Sequence, residues 1–252
     1  ITAAHAPTAV PGFGGAVRAA RVACGYHHTA VLDGGGRVRT CGAGLQGELG
    51  LGSDKNVARP RLVEGLDGVE ELACGWAHSV ARTGTGQVFT WGSGVYGQLG
   101  HGGRADELEP RLVEALREKR MRAVGCGSFH TLAVSCLHNL YAWGRGNKGR
   151  LGHGGDADQA LPRLVEALAG RAVACVDAGY VHSLAATEEG EAWAWGASKH
   201  GQLGLGAVAH APLPLPVQGL EGVRLAQVAC GEEFSLALSD DGRVFGWGSS
   251  AH

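Results

Sequence analysis

Four Trp-Gly pairs, at Trp91, Trp143, Trp195 and Trp247, stand 52 residues apart, and Cys41-Gly42 holds the same place 50 residues ahead of Trp91. A period of this length, held without drift, marks a repeat architecture in which each unit buries its apolar face only against its neighbours. Other markers keep the phase. The run Gly-x-Leu-Gly-x-Gly starts at Gly47, Gly97, Gly149 and Gly201, and prolines follow at Pro60, Pro110, Pro162 and Pro214, each three residues before a valine. Cys-Gly pairs then come at Cys24, Cys74, Cys126 and Cys230, with Ala178-Gly179 filling the slot in the fourth unit.

Each unit reads as short strands: 21–25, 28–32, a turn at 33–36, 37–42, a long Gly-rich loop, then 59–64. Four strands per unit is the arithmetic of a propeller blade. Composition supports this, because 44 of the 252 residues are glycine, more than twice the usual share of about 7%, without the every-third spacing of collagen. Asp240-Asp241-Gly242 and Glu188-Glu189-Gly190 fall where hairpin turns are due. The segment 111–124 carries helix-favouring charges, but it occupies the slot of Arg61-Leu62-Val63-Glu64, so at most a turn of helix is expected there. The expected organisation is one all-β propeller domain over 1–252, with five four-stranded units at about 1–42, 43–92, 93–144, 145–196 and 197–248, the first opening on a strand at Pro7.

Cys-Gly-x-x-His-Thr/Ser, then Trp-Gly, then Gly-Gln-Leu-Gly-x-Gly, recurring in register over nearly the whole chain, resembles the repeat of the regulator of chromosome condensation family. The resemblance implies blades closing into a seven-bladed ring. The five units here, opening on Ile1 and stopping at His252, then read as part of a longer propeller that is incomplete at one or both ends. It also implies a scaffold whose recurring residues are structural: Cys24, His28, Cys74, His78, Trp91, Cys126, His130, Trp143, His182, Trp195, Cys230 and Trp247.

Sharper chemical readings fail on spacing. Gly42-x-Gly44-x-x-Gly47 and its copies match a dinucleotide fingerprint, yet they recur in every inter-strand loop rather than opening one helix. His28, His78, His130 and His182 fall one to a unit, too dispersed for a single ion, and Phe234 takes the slot in the fifth. The seven cysteines include no CxxC pair, so neither a disulfide framework nor zinc is expected, and the in-phase thiols are read as strand-centred packing. No Gly-x-Ser-x-Gly and no Walker loop is present, and Glu64, Glu114 and Glu166 repeat at blade distance. No catalytic residue, metal or cofactor is expected. A net charge of −2 offers no global field for nucleic acid or anionic lipid, and no signal peptide or apolar span is visible. The expectation is a soluble intracellular protein, cytoplasmic or nuclear.

One row varies where its surroundings are fixed. The residue after each Cys-Gly is Tyr26, Trp76, Ser128, Tyr180 and Glu232 in turn. Aromatic residues there suit a protein interface. Tyr26, Trp76, Tyr180, Glu232 and Glu233 are therefore the candidate partner-binding residues, on a non-catalytic interaction scaffold of undetermined oligomeric state. Two alternatives follow from the resemblance. The first is nucleotide exchange on a small Ran-like GTPase, for which Glu232 and Glu233 are the only carboxylates in the slots directly after that Gly, though no unit is long enough to hold a wedge insertion. The second, light sensing like that of the plant UV-B photoreceptor, uses repeated Gly-Trp-Arg-His-Thr motifs. Only Gly75-Trp76-Ala77-His78-Ser79 approaches it.

Overall fold

In the computed structural model the described residues are 9–10, 13 and 17–249; the strand expected at Pro7 lies outside them. They form five antiparallel meanders in chain order, four of four strands and a fifth of three. The first sheet runs Ala19–Cys24, His28–Asp33, Val38–Gly42 and Val57–Leu62 from inside to outside. The inner strands of the others are Val69–Cys74, Met121–Cys126, Val173–Ala178 and Leu225–Cys230, and they pack against one another in succession. Each sheet starts at the Cys-Gly strand, so a unit counted from one Trp-Gly to the next gives its Pro-bearing strand to the preceding sheet. The segment 111–124 holds one 3-10 helix, Glu114–Lys119, between an outer and an inner strand.

Local chemistry sets these strands. At the first hairpin, Asp33 accepts from Gly35 N on its carboxylate (2.9 Å) and from Gly36 N on its carbonyl (3.0 Å), while Gly36 takes φ +76°. The outer strands carry Pro60, Pro110, Pro162 and Pro214. A proline there removes a donor from an otherwise open edge and so blocks pairing with another chain.

The core is divided into four clusters, one at each junction between neighbouring sheets. Trp91, Trp143 and Trp195 are fully buried and face the sheet before their own, as Trp143 does against Val80, Val88 and Val113. Gly50 lies over the Trp91 ring with φ +68°, where an added Cβ would stand 2.8 Å from the indole nitrogen. This is why each tryptophan accompanies a Leu-Gly one loop earlier.

Hydrogen bonds lock the same junctions. The hydroxyl of Ser79 donates to the Glu48 carbonyl (2.8 Å) and therefore accepts from His28 Nε2 (2.9 Å). The arrangement repeats as His78 on Thr131 with Gln98, His130 on Ser183 with Arg150, and His182 on Ser235 with Gln202. The indoles of Trp91, Trp195 and Trp247 donate to the same carbonyls, of Glu48, Arg150 and Gln202. Each ring keeps its proton on Nε2, and the four Nδ1 atoms are buried without a partner. Burial holds the rings neutral: His28 and His182 drop to about 4, His78 to about 3, and His130 falls well below its ordinary value. The His28 ring folds onto Gly25, which has no room for a Cβ, hence the Gly-x-x-His spacing.

Candidate binding site at the axial mouth

In a meander the inner-to-second turns and the long Gly-rich loops share one end of the sheets, and the hairpins at Asp33–Gly36 and its copies share the other. The first end is where the variable row converges. Tyr26, Trp76, Ser128, Tyr180 and Glu232, with the Cys-Gly or Ala-Gly pair before each, line one axial depression of about 220 Å³. Backbone bonds join the turns around the axis: Trp76 N to Ser128 O (3.0 Å), Ser128 N to Gly179 O (3.2 Å) and Tyr180 N to Glu232 O (3.1 Å). The side chains are thus presented by a framework that their identity does not determine.

The rings touch. Tyr26 stacks on Trp76 with centroids 3.6 Å apart and planes 12° apart, and Trp76 lies 5.7 Å from Phe129 and 6.2 Å from Tyr180. Tyr96 meets Phe129 edge-on at 5.4 Å, and the Arg145 guanidinium sits 4.5 Å above the Tyr96 ring. Tyr26 stays 54% exposed, so the cluster is an open apolar surface and not a sealed core. Phe129 and Tyr96 were missed from sequence; their signal is an aromatic side chain in a slot held elsewhere by His27, Ala77 and Val181, or by Gln46, Lys148 and His200.

The two candidate carboxylates behave differently. Glu232 is exposed on the mouth, whereas Glu233 lies 3.3 Å from His200. The expectation of strand-centred cysteines needs correction. Cys24, Cys74, Cys126 and Cys230 end their strands and line the depression, because the inner strands converge there. Three of them are not activated: burial pushes Cys74 up to about 12 and raises Cys126 and Cys230 well above the usual thiol value. Among the described residues no group of three His, Cys, Asp or Glu side chains is placed to hold a metal ion, and no helix is long and apolar enough to cross a membrane.

Asp177 is a further unread residue. It stands where the other inner strands have Ala23, Ala73, Gly125 and Ala229, and accepts from Cys230 N at 2.8 Å on the next sheet. Burial, opposed by that bond, raises its carboxyl to about 6.

The repeat also decides the lineage, since the family model for the RCC1-like domain matches residues 2–252. The chain belongs to the RCC1-like domain family. The Arabidopsis thaliana ultraviolet-B receptor UVR8 is 34% identical over 234 residues, 92% of this chain and 53% of that protein. The human E3 ubiquitin-protein ligase HERC2 is 41% identical over 133 residues, 52% of this chain and 3% of the ligase. Among solved RCC1-like structures, Saccharomyces cerevisiae Prp20p, described with its binding to Gsp1p and histones, superposes with a TM-score of 0.80 at 25% identity, covering 96% of this chain and 58% of Prp20p. Human WBSCR16 gives a TM-score of 0.83 at 26% identity, covering 92% of this chain and 62% of WBSCR16. The RCC1-like chain here thus spans about half of UVR8 and a small part of HERC2.

Proposed function

We propose that this RCC1-like chain is a non-catalytic docking platform that receives a protein partner on its axial mouth. One observation carries the reading: the row that varies between units is the row that converges on one depression, and three of its five members are aromatic. The fixed slots around it are consumed as latches between sheets. Open aromatic side chains on a rigid frame lose little conformational freedom on binding, which is what interface anchors require. The same reading takes the chain as part of a larger ring. Val22 and Val244 are 61% and 67% exposed in slots whose copies Val124 and Val88 are buried at 6% and 1%, so a further blade on either side would cover them.

Nucleotide exchange is the second reading, favoured by Glu232 on the mouth, with Glu233 next to it against His200, and by the likeness to Prp20p. Affinity capture of the full-length protein from its native cell, followed by a nucleotide-release assay on any small GTPase recovered, separates the two. Docking predicts partners that are lost with Tyr26→Ala or Tyr180→Ala and no acceleration of release. Accelerated release that disappears with Glu232→Gln and Glu233→Gln would replace docking by exchange. Light sensing has less behind it, because the ring neighbours of Trp76 are Tyr26, Phe129 and Tyr180 rather than tryptophans.

A further inference from the structure

Arg150 stands in a slot that the other loops fill with Glu48, Gln98 and Gln202. In those loops the side-chain oxygen accepts from the backbone nitrogen two residues earlier, from Gln46 (2.8 Å), Tyr96 (2.8 Å) and His200 (2.9 Å). A guanidinium has only donors, so Lys148 N gets no such acceptor. The third loop winds instead through a short 3-10 turn at Asn147–Gly149, with Lys148 at φ +64°. Arg150 donates to the Asn147 carbonyl (2.8 Å) and to the Tyr180 carbonyl (3.0 Å) on the mouth.

Arg150 is 2% exposed, yet among the described residues no carboxylate lies within ion-pair distance of its guanidinium. Arg145 has no ion-pair partner there either, and rests on the Tyr96 and Phe129 rings. The acids of the same loop are engaged elsewhere: Asp158 accepts from Gly146 N and pairs with Arg104, and Asp156 accepts from Gly149 N. Arginine at position 150 therefore gives up a loop bond and buries an uncompensated charge, where glutamine would do neither. A departure from local consistency of this kind marks function when something outside the fold offsets it.

We propose that the Arg145–Arg150 loop, beside the aromatic mouth, reads acidic protein segments: an aspartate or glutamate side chain of the partner pairs with Arg145 in the positive field of Arg150. The inference rests on the docking reading and adds the partner's chemistry. Glu232, exposed on the fifth inner turn beside the fourth loop, repels such a segment and confines it to the side of the second and third loops, where Tyr96 and Arg145 meet. A nucleic acid suits the surface less, because Asp54, Asp106 and Asp156 on the Gly-rich loops oppose an extended polyanion.

The test uses fluorescein-labelled octapeptides of alternating Asp and Gly, or Asn and Gly, with anisotropy read at low and high salt. The Asp peptide is expected to bind about tenfold more tightly than the Asn peptide and to weaken with salt. Arg145→Ala and Arg150→Gln are each expected to weaken it about tenfold, with the melting temperature of Arg150→Gln no lower than wild type. Equal binding of the two peptides, no binding of either, or unchanged binding by Arg150→Gln overturns the inference. If Tyr26→Ala and Tyr180→Ala still abolish capture of a native partner, docking survives that failure; if they do not, docking fails as well.

Discussion

His130 is sealed between two sheets with Nε2 on the Ser183 hydroxyl and Nδ1 on nothing, so its ring has no place for a second proton. The same is true of His28, His78 and His182. In the unfolded chain these rings titrate near 6.5, and in the fold their values are depressed. Their contribution to stability is then complete above pH 6.5 and is lost as pH falls toward 4, on the order of 1 to 2 kcal/mol per ring by pH 5. Thermal unfolding followed from pH 8 to pH 4.5 should show a steep fall below pH 6, and a flat profile would contradict the latch. Asp177 has the opposite sign. Its carboxyl rises from 3.8 to about 6, so the fold is favoured at low pH and the contribution is lost as pH rises through 6. Asp177→Asn, which keeps an acceptor for Cys230 N, is expected to stabilise the fold more at pH 8 than at pH 4.5, by on the order of 1 to 3 kcal/mol at the higher pH, read by thermal unfolding at the two pH values.

Between elements, the tryptophans act as wedges, but not equally. Trp195 donates to the Arg150 carbonyl at 2.8 Å, whereas Trp143, equally buried, leaves its indole nitrogen without a partner. Trp143→Ala should cost roughly 3 to 5 kcal/mol through the void left between the second and third sheets. Trp195→Phe should cost about 1 kcal/mol more than Trp143→Phe, because only the former removes an indole hydrogen bond, leaving the Arg150 carbonyl with the Ser183 hydroxyl alone. Equilibrium urea unfolding of the phenylalanine pair measures this, and equal losses would remove the hydrogen bond from the account. At this scale the sequence was readable, since strand, turn and wedge return every fifty-odd residues and a repeat averages out local ambiguity. The 3-10 helix at Glu114–Lys119 runs six residues, about two turns, longer than the single turn allowed by phase. Slot membership does not report how far neighbouring blades rotate, so the stacking of Phe129 and Tyr96 and the placing of the cysteines on the axis could not be read from it. Arg150 and Asp177 were visible as odd members of their slots, but not as buried charge.

The whole molecule divides its labour between two ends of the same sheets. Hairpins such as Thr83–Gly86 and Ser239–Gly242 close one end with local turns, while the other gathers the aromatic row, Arg145 and Glu232 around the axis. Docking on the mouth therefore predicts that partner contact is confined to one end. The most direct measurement is site-specific photo-crosslinking in the full-length protein, with a photoreactive phenylalanine in place of Tyr26 or Tyr180 and, as the opposing pair, in place of Thr85 or Asp241. The account predicts that a native partner crosslinks from positions 26 and 180 and not from 85 or 241. Crosslinking from the hairpin end alone, or equally from both ends, would contradict it.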